Sequence, residues 1–309
     1  MNIVFMGTPD FSVPILNALA KNYNVVAVVT QPDKPKGRKK RLTPSPVKEA
    51  ANALGIEVLQ PRKIKEHEAM ILKKKPDVIV TAAYGQIIGE KLLNTPEYGA
   101  INVHASLLPK LRGGAPIQRA IERGYQETGV TVIVMGKGMD TGPMLSKKSI
   151  IIEDRETSGS LFDKLSKVGR DLLLDTLPKY IEGSITPTPQ NHEEATYAYA
   201  IKREEEALEF NKSAIKIERK IRAFYPKPNT YVDTQMGRLK VLEAFVRTCD
   251  ASYETGVVVG FDKNGLEIAT KKDSIVLKTV QPSGKNPMDA FAFMNGAGRK
   301  WFSKGQKLS

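Results

Sequence analysis

The pattern of the chain changes two thirds of the way along, and that change limits what it can fold into. Up to residue 150, NIVFMG, NVVAVVT, DVIVTAA, AINVHA and GVTVIVM are short apolar runs rich in Val and Ile. Between them, VPILNALAKN, SPVKEAANALG, HEAMILKKK and APIQRAIERG carry apolar residues at helical spacing. Alternation of this kind predicts an α/β domain, a doubly wound, mostly parallel sheet with helices on both faces. TSGSLFDKLSKVGRDLLLDTLPKYIEG reads as a long amphipathic helix closing that domain. PTPQNHEEATYAYAIKREEEA then mixes prolines, acids and scattered apolar residues, the composition of a linker. After one more helical stretch, AIKIERKIRAF, the chain turns to strands: NTYVDTQ, RLKVLEAFVRT, TGVVVGFD, GLEIAT and SIVLKTVQ. Five such strands fit a small Greek-key barrel of the OB type. The expected division is 1–189 for the first domain, 190–208 for the linker and 209–309 for a C-terminal OB-like domain.

The first strand ends in Gly7, Thr8, Pro9 and Asp10, a helix start in which Thr8 can cap and Pro9 fits the first turn. One glycine there, where a dinucleotide fingerprint needs three, argues against a nicotinamide cofactor. GKGMDTG resembles such a fingerprint superficially but leads into the strand-like SKKSIII, so its glycines read as turn residues that bring Asp140 inward.

No stretch approaches the ~20 apolar residues of a membrane span, and MNIVFMGTP opens on a strand-like run without the marks of a secretory signal. Cys249 is the single cysteine, and His67 and His192 lie in polar segments, read as exposed surface. A cytoplasmic chain without a metal is expected.

Asn102 and His104 stand two residues apart in the strand-like GAINVHA, so both side chains point to one face where the strand opens into a loop. With Asp140 they suit acyl transfer to an amine. An uncharged amine is already nucleophilic, so the demand falls on the oxyanion of the tetrahedral adduct. An Asn amide and an imidazolium can donate to it, and a carboxylate can hold the imidazole in place. Taken alone, an Asn-x-His at a strand end is more often the mark of ordinary turn chemistry.

The longer string HASLLPKLRGGAP resembles the folate-site signature of the 10-formyl-tetrahydrofolate-dependent formyltransferases. GTPDFSVPIL, VVTQPDKPKGRKKRLTPSPVK, TAAYGQIIGEKLL, ETGVT, DTGPM and QPSGK extend the resemblance over nearly the whole chain, toward the members that act on a methionine-charged initiator tRNA. It implies a formyltransferase Rossmann-like catalytic domain, Asn102, His104 and Asp140 as the catalytic set, and Ser106, Leu107, Leu108 and Pro109 bordering the folate. The implied co-substrate is 10-formyltetrahydrofolate. The departures are Lys227 and Phe210, where many relatives carry tryptophan; Trp301 is the only tryptophan left.

The formal net charge is +13 and is unevenly placed. Lys34, Lys36, Arg38, Lys39, Lys40, Arg41 and Lys48 stand against Asp33 alone. Pro32, Pro35, Gly37, Pro44 and Pro46 exclude a regular helix or central strand there, which predicts a mobile, extended arm. Such an arm suits a phosphate backbone, and Arg38, Lys39, Lys40 and Arg41 are the expected tRNA-binding residues. In the family, the corresponding insertion enters the acceptor-stem end of initiator tRNA. The expected protein is a monomer that meets charged initiator tRNA and folate but no membrane. Two rival readings remain: a formyltransferase acting on an amino sugar nucleotide or a purine-pathway ribonucleotide, and a non-catalytic RNA-binding protein.

Overall fold

The computed structural model describes the chain except for residues 38–40, 250–252 and 309. In chain order it runs β1 (Asn2–Gly7), α1 (Val13–Asn22), β2 (Asn24–Val29), β3 (Lys34–Lys36), β4 (Arg41–Thr43), α2 (Pro46–Ala53), β5 (Val58–Leu59), α3 (Glu68–Leu72), β6 (Val78–Ala82), α4 (Glu90–Asn94), β7 (Ala100–His104), α5 (Pro116–Glu122), β8 (Glu127–Val134), β9 (Met144–Ile151) and α6 (Ser158–Ile181). It continues with α7 (Ala214–Phe224), β10 (Thr230–Thr234), β11 (Gly237–Arg247), β12 (Val258–Asp262), β13 (Gly265–Ala269), β14 (Ser274–Pro282), β15 (Met288–Asp289) and α8 (Ala290–Asn295). Two compact units result. The first comprises Met1–Pro116, Glu127–Ile151 and Phe162–Ala200; the second takes Ile117–Gln126, Ile152–Leu161 and the chain from Ile201 onward.

The first unit carries a seven-stranded sheet of order β5-β2-β1-β6-β7-β8-β9. Its strands from β5 to β7 are parallel, and β8 and β9 add antiparallel at one side. The mostly parallel sheet is therefore as expected. Val78, Ile79, Val80, Thr81 and Ala82 of β6 are all buried, as a strand covered on both faces must be. Val4, Met6, Ala27, Val29, Ile71, Ile79, Leu92 and Leu93 form one apolar cluster, in which each side chain larger than alanine contributes about 1.5–3 kcal/mol on burial.

The start of α1 differs from the expectation. Asp10–Ser12 forms a single 3-10 turn with Pro9 at the cap position and no side-chain cap. Thr8 is drawn away to the sheet, where its hydroxyl donates to the Tyr84 carbonyl at 3.0 Å. Ser12 does the same to the Ala82 carbonyl at 2.6 Å. These bonds tie the carboxyl ends of β1 and β6 together, where open α/β sheets hold their ligands.

The second unit carries the five antiparallel strands expected, in the order β10-β11-β14-β13-β12, with the short β15 beside β14. Helix α7 presents Ile217, Ile221 and Phe224 inward, and its core also holds Phe210, Val232, Leu266 and Leu277. Phe210 is 3% exposed, so it fills its core position as an aromatic without needing an indole nitrogen. Phe224 is a core residue, whereas its neighbour Tyr225 is exposed. Lys227 is exposed between Pro226 and Pro228. Among the described residues, no helix is long and apolar enough to cross a membrane.

Candidate active site

The register of the first sheet places Asn102 beside Thr81 of β6 and opposite Ile133 of β8, and His104 opposite Thr131. Thr81 Oγ1 donates to Asn102 Oδ1 at 2.8 Å. Because that bond occupies the amide oxygen, Asn102 Nδ2 is turned toward the loops beyond the strand. His104 is 6% exposed, and its Nε2 donates to the Leu111 carbonyl at 3.0 Å. This fixes the ring and leaves Nδ1 facing Asp140.

Asp140 arrives from the loop between β8 and β9 in the left-handed conformation, with φ 53°. Its Oδ2 accepts from the Gly113 N–H at 2.8 Å and lies 3.6 Å from His104 Nδ1. Its Oδ1 lies 3.5 Å from Asn102 Nδ2. The three residues singled out in the sequence thus meet around one point, partly open to solvent through Asp140. The arrangement offers one amide N–H and one imidazole nitrogen side by side, with a carboxylate against both. That set can donate to a developing oxyanion and carry a proton, which is what transfer of an acyl group to an amine requires.

The loop after β7 is held by its own hydrogen bonds and by Thr131 of β8. Ser106 is fully buried and its hydroxyl donates to the Lys110 carbonyl at 2.7 Å. Thr131 Oγ1 donates to the Ser106 carbonyl at 2.7 Å and accepts from Leu108 N–H at 3.1 Å. Leu108 is also buried, so of the four residues expected to border folate only Leu107 and Pro109 keep partly accessible side chains. Ser106 and Leu108 hold the loop's shape.

Two further residues that sequence reasoning missed hold Asp140, Gln190 directly and Arg112 through it. Gln190 Nε2 donates to the Asp140 carbonyl at 2.8 Å and to the Gly142 carbonyl at 2.7 Å. Its Oε1 accepts from Arg112 Nε at 3.1 Å and Nη2 at 2.6 Å. Arg112 is 2% exposed and also reaches His192 Nδ1 at 3.2 Å, so His192 has a structural partner. Nothing in the spacing of Arg112, Asp140 and Gln190 announces this chain; only the arginine in the RGG run is a visible signal. His67 is half-buried with its Nδ1 enclosed, contrary to the expected exposed surface residue.

Among the described residues, the segment after β2 is a paired ribbon where an extended arm was expected. Lys34–Lys36 and Arg41–Thr43 pair as an antiparallel ribbon, with Lys36 opposite Arg41. Pro35 is tolerated because a two-stranded ribbon has open edges. Lys48 is paired with Asp33 at 2.7 Å, and Gln60 donates to the other Asp33 oxygen at 2.7 Å. These two hydrogen bonds hold the Asp33 carboxyl below the usual carboxylate range. Arg41 is exposed. Arg38, Lys39 and Lys40 lie outside the described residues.

Known proteins resemble this chain over nearly its whole length. Residues 1–177 match the model for formyl transferase and residues 200–298 that for the formyl transferase C-terminal domain. Methionyl-tRNA formyltransferase of Bacillus licheniformis is 50% identical over 96% of this chain and 95% of its own. The protein of the same name from Bacillus subtilis is 48% identical over 96% and 94%. Among solved structures, methionyl-tRNA formyltransferase from Clostridium thermocellum aligns with a TM-score of 0.56 at 19% identity, covering 80% of this chain and 94% of its own. WlaRD, a sugar 3N-formyl transferase, aligns with a TM-score of 0.64 at 19% identity over 93% and 99%, a likeness of fold. With its two matched domains laid over the two halves of the sequence, the chain belongs to the formyl transferase family.

Proposed function

We propose that this chain moves the formyl group of 10-formyltetrahydrofolate to the α-amino group of methionyl-initiator tRNA, in the cytoplasm and as a monomer. One observation carries the chemistry: Asp140 lies 3.5 Å from the Asn102 amide and 3.6 Å from the His104 ring. The acceptor amine forms its C–N bond to the formyl carbon, and the carbonyl oxygen takes up the charge. Asn102 Nδ2 donates to that oxygen. The amine proton passes by way of His104 Nδ1 to the departing nitrogen of the folate as the old C–N bond breaks, while Asp140 faces the ring during the exchange. Folate is read as lying along the loop of Ser106, Leu107, Leu108 and Pro109, with Leu107 and Pro109 offering the accessible surface.

The acceptor is argued from relatives and charge. The relatives at 47–50% identity bear the name methionyl-tRNA formyltransferase. The basic segment Arg38, Lys39, Lys40 and Arg41 suits a phosphate backbone, which a small amine substrate does not possess. The division at 1–189, 190–208 and 209–309 belongs to the same reading. The test gives purified protein 10-formyltetrahydrofolate with charged initiator tRNA, charged elongator tRNA and small amines. Formylation of the initiator far ahead of the others is expected; equal use of both tRNAs, or transfer only to a small amine, would overturn the proposal.

A further inference from the structure

Tyr197 and Tyr199 form an aromatic platform in the first unit that the chemistry above does not use. Their rings stack with centroids 5.6 Å apart and planes 4° from parallel, and they are 42% and 62% exposed. Strand-like backbone explains the pairing, since residues two apart share a face. The backbone edge of this segment and the Thr196 side chain are committed to the catalytic loop. Thr196 accepts from Leu111 N–H through its hydroxyl at 2.9 Å and from Arg112 N–H through its carbonyl at 2.8 Å. Ala198 N–H donates to the Arg112 carbonyl at 2.7 Å, and its carbonyl accepts from Ala115 N–H at 3.0 Å. The residue that bonds Thr196, Leu111, is also the one whose carbonyl holds His104.

We infer that Tyr197 and Tyr199 stack on unpaired bases at the 3′ end of the RNA acceptor and so present its aminoacyl group to Asn102 and His104. The inference rests on the proposed function. An amino acid esterified to a terminal ribose carries its nucleotide with it, so the last bases must lie on the surface around the reacting amine. Exposed aromatic faces fixed to the catalytic loop meet that need, because every base offers a π-face and stacking is indifferent to sequence. Lys110, exposed in the same loop, supplies a cation for the accompanying phosphate.

The test compares Tyr197→Ala, Tyr199→Ala and the two Phe variants, with thermal melts to establish folding. Steady-state kinetics with charged initiator tRNA should show KM raised about five- to a hundredfold by each Ala change, the range that loss of one stacked base gives. Turnover at saturation and KM for folate should stay within about twofold of the parent, and Phe should restore the tRNA KM. Independently of catalysis, an oligoribonucleotide with a single-stranded 3′ end should bind the parent more tightly than a blunt duplex, and lose that preference in the Ala variants. A parent that formylates charged tRNA while the Ala variants keep its KM would overturn the stacking site, as would Phe variants as impaired as Ala. A parent that shows the tyrosine-dependent RNA preference yet formylates no charged tRNA would sink the proposed function and leave the stacking site standing.

Discussion

The Gln190 side-chain amide donates to the backbone carbonyl of Asp140 at 2.8 Å, across fifty residues of sequence. Asp140 sits at φ 53°, where a residue with a Cβ rests only if its surroundings hold it. Gln190 supplies that restraint, and buried Arg112 in turn orients Gln190. Gln190→Ala should therefore lower turnover about ten- to a hundredfold by loosening the carboxylate, the size of effect that small misplacements produce. Charged-tRNA affinity should not change. Gln190→Glu, which can still accept from Arg112 but cannot donate to the Asp140 carbonyl, should be no better; recovery of turnover in that variant would locate the role of Gln190 at Arg112 instead.

A glycine makes the approach of the chain around residue 198 possible. Gly113 has φ 119°, and a Cβ there would stand 2.8 Å from the Ala198 carbonyl oxygen. The same residue gives Asp140 its N–H bond. Gly113→Ala should cost about 1–3 kcal/mol of stability from backbone strain, and should reduce turnover as well, since the Asp140 partner moves. Denaturant unfolding and kinetics on one preparation check both effects; unchanged stability would mean that residues 196–198 are not held against this loop.

Tyr84 carries a stability signature at alkaline pH. It is 4% exposed, and its hydroxyl has no hydrogen-bond partner among the described residues. Burial pushes the hydroxyl up to about 12 from its ordinary 10.0. Because burial penalises only the ionised hydroxyl, the unfolded chain gives up this proton first as pH rises, so Tyr84 lowers stability progressively between about 10 and about 12 and has no pH effect below that window. Tyr84→Phe should abolish that part of the alkaline dependence and, near neutral pH, raise stability by about 1 kcal/mol by removing an unpaired buried polar group. Denaturation midpoints across that window measure it; a variant less stable than the parent at neutral pH would show that the hydroxyl has a partner after all.

The basic segment predicts a salt effect. Each phosphate neutralised by Lys or Arg adds about 0.9 for duplex, or 0.7 for single strands, to the slope of log affinity against log salt. Changing Lys39, Lys40 and Arg41 together to Ala should weaken tRNA binding and flatten that slope by about two to three units. Folate affinity should not change. Trypsin should cut this segment early in the free protein and late in the presence of initiator tRNA. An unchanged slope with no protection would remove the segment from RNA binding.

Much of this was legible in the sequence because its signals are local. Val- and Ile-rich runs such as NIVFMG and NVVAVVT became β1 and β2, and the five late runs became β10 to β14. Short elements escaped: α4 (Glu90–Asn94) has too few residues to show helical period, and β5 (Val58–Leu59) is two residues on a sheet edge. The ribbon of β3 and β4 was hidden by its prolines. Thr8 looked like a cap because its sequence neighbours are those of a helix start, but the Tyr84 carbonyl competed for its hydroxyl. Asn102 and His104 were legible as a pair through the two-residue period of a strand. Gln190, Thr81 and Leu111 were not, because their contributions are a remote amide, a hydroxyl across a strand register and a backbone carbonyl, none of which leaves a motif.

The central claim is that Asn102, His104 and Asp140 act on the transfer itself. Single-turnover formyl transfer to charged initiator tRNA, measured with tRNA affinity determined separately on the same variants, tests it most directly. Asn102→Ala should slow transfer by about 10²–10³, the loss of one oxyanion donor, and His104→Ala by about 10²–10⁴, the loss of the group that carries the proton. Asp140→Asn should slow it while keeping the loop's shape, since it removes the charge facing His104 Nδ1 and leaves an oxygen to accept from Gly113. Transfer should collapse with tRNA affinity intact in all three; affinity falling in step with transfer would assign these residues to the fold and contradict the account.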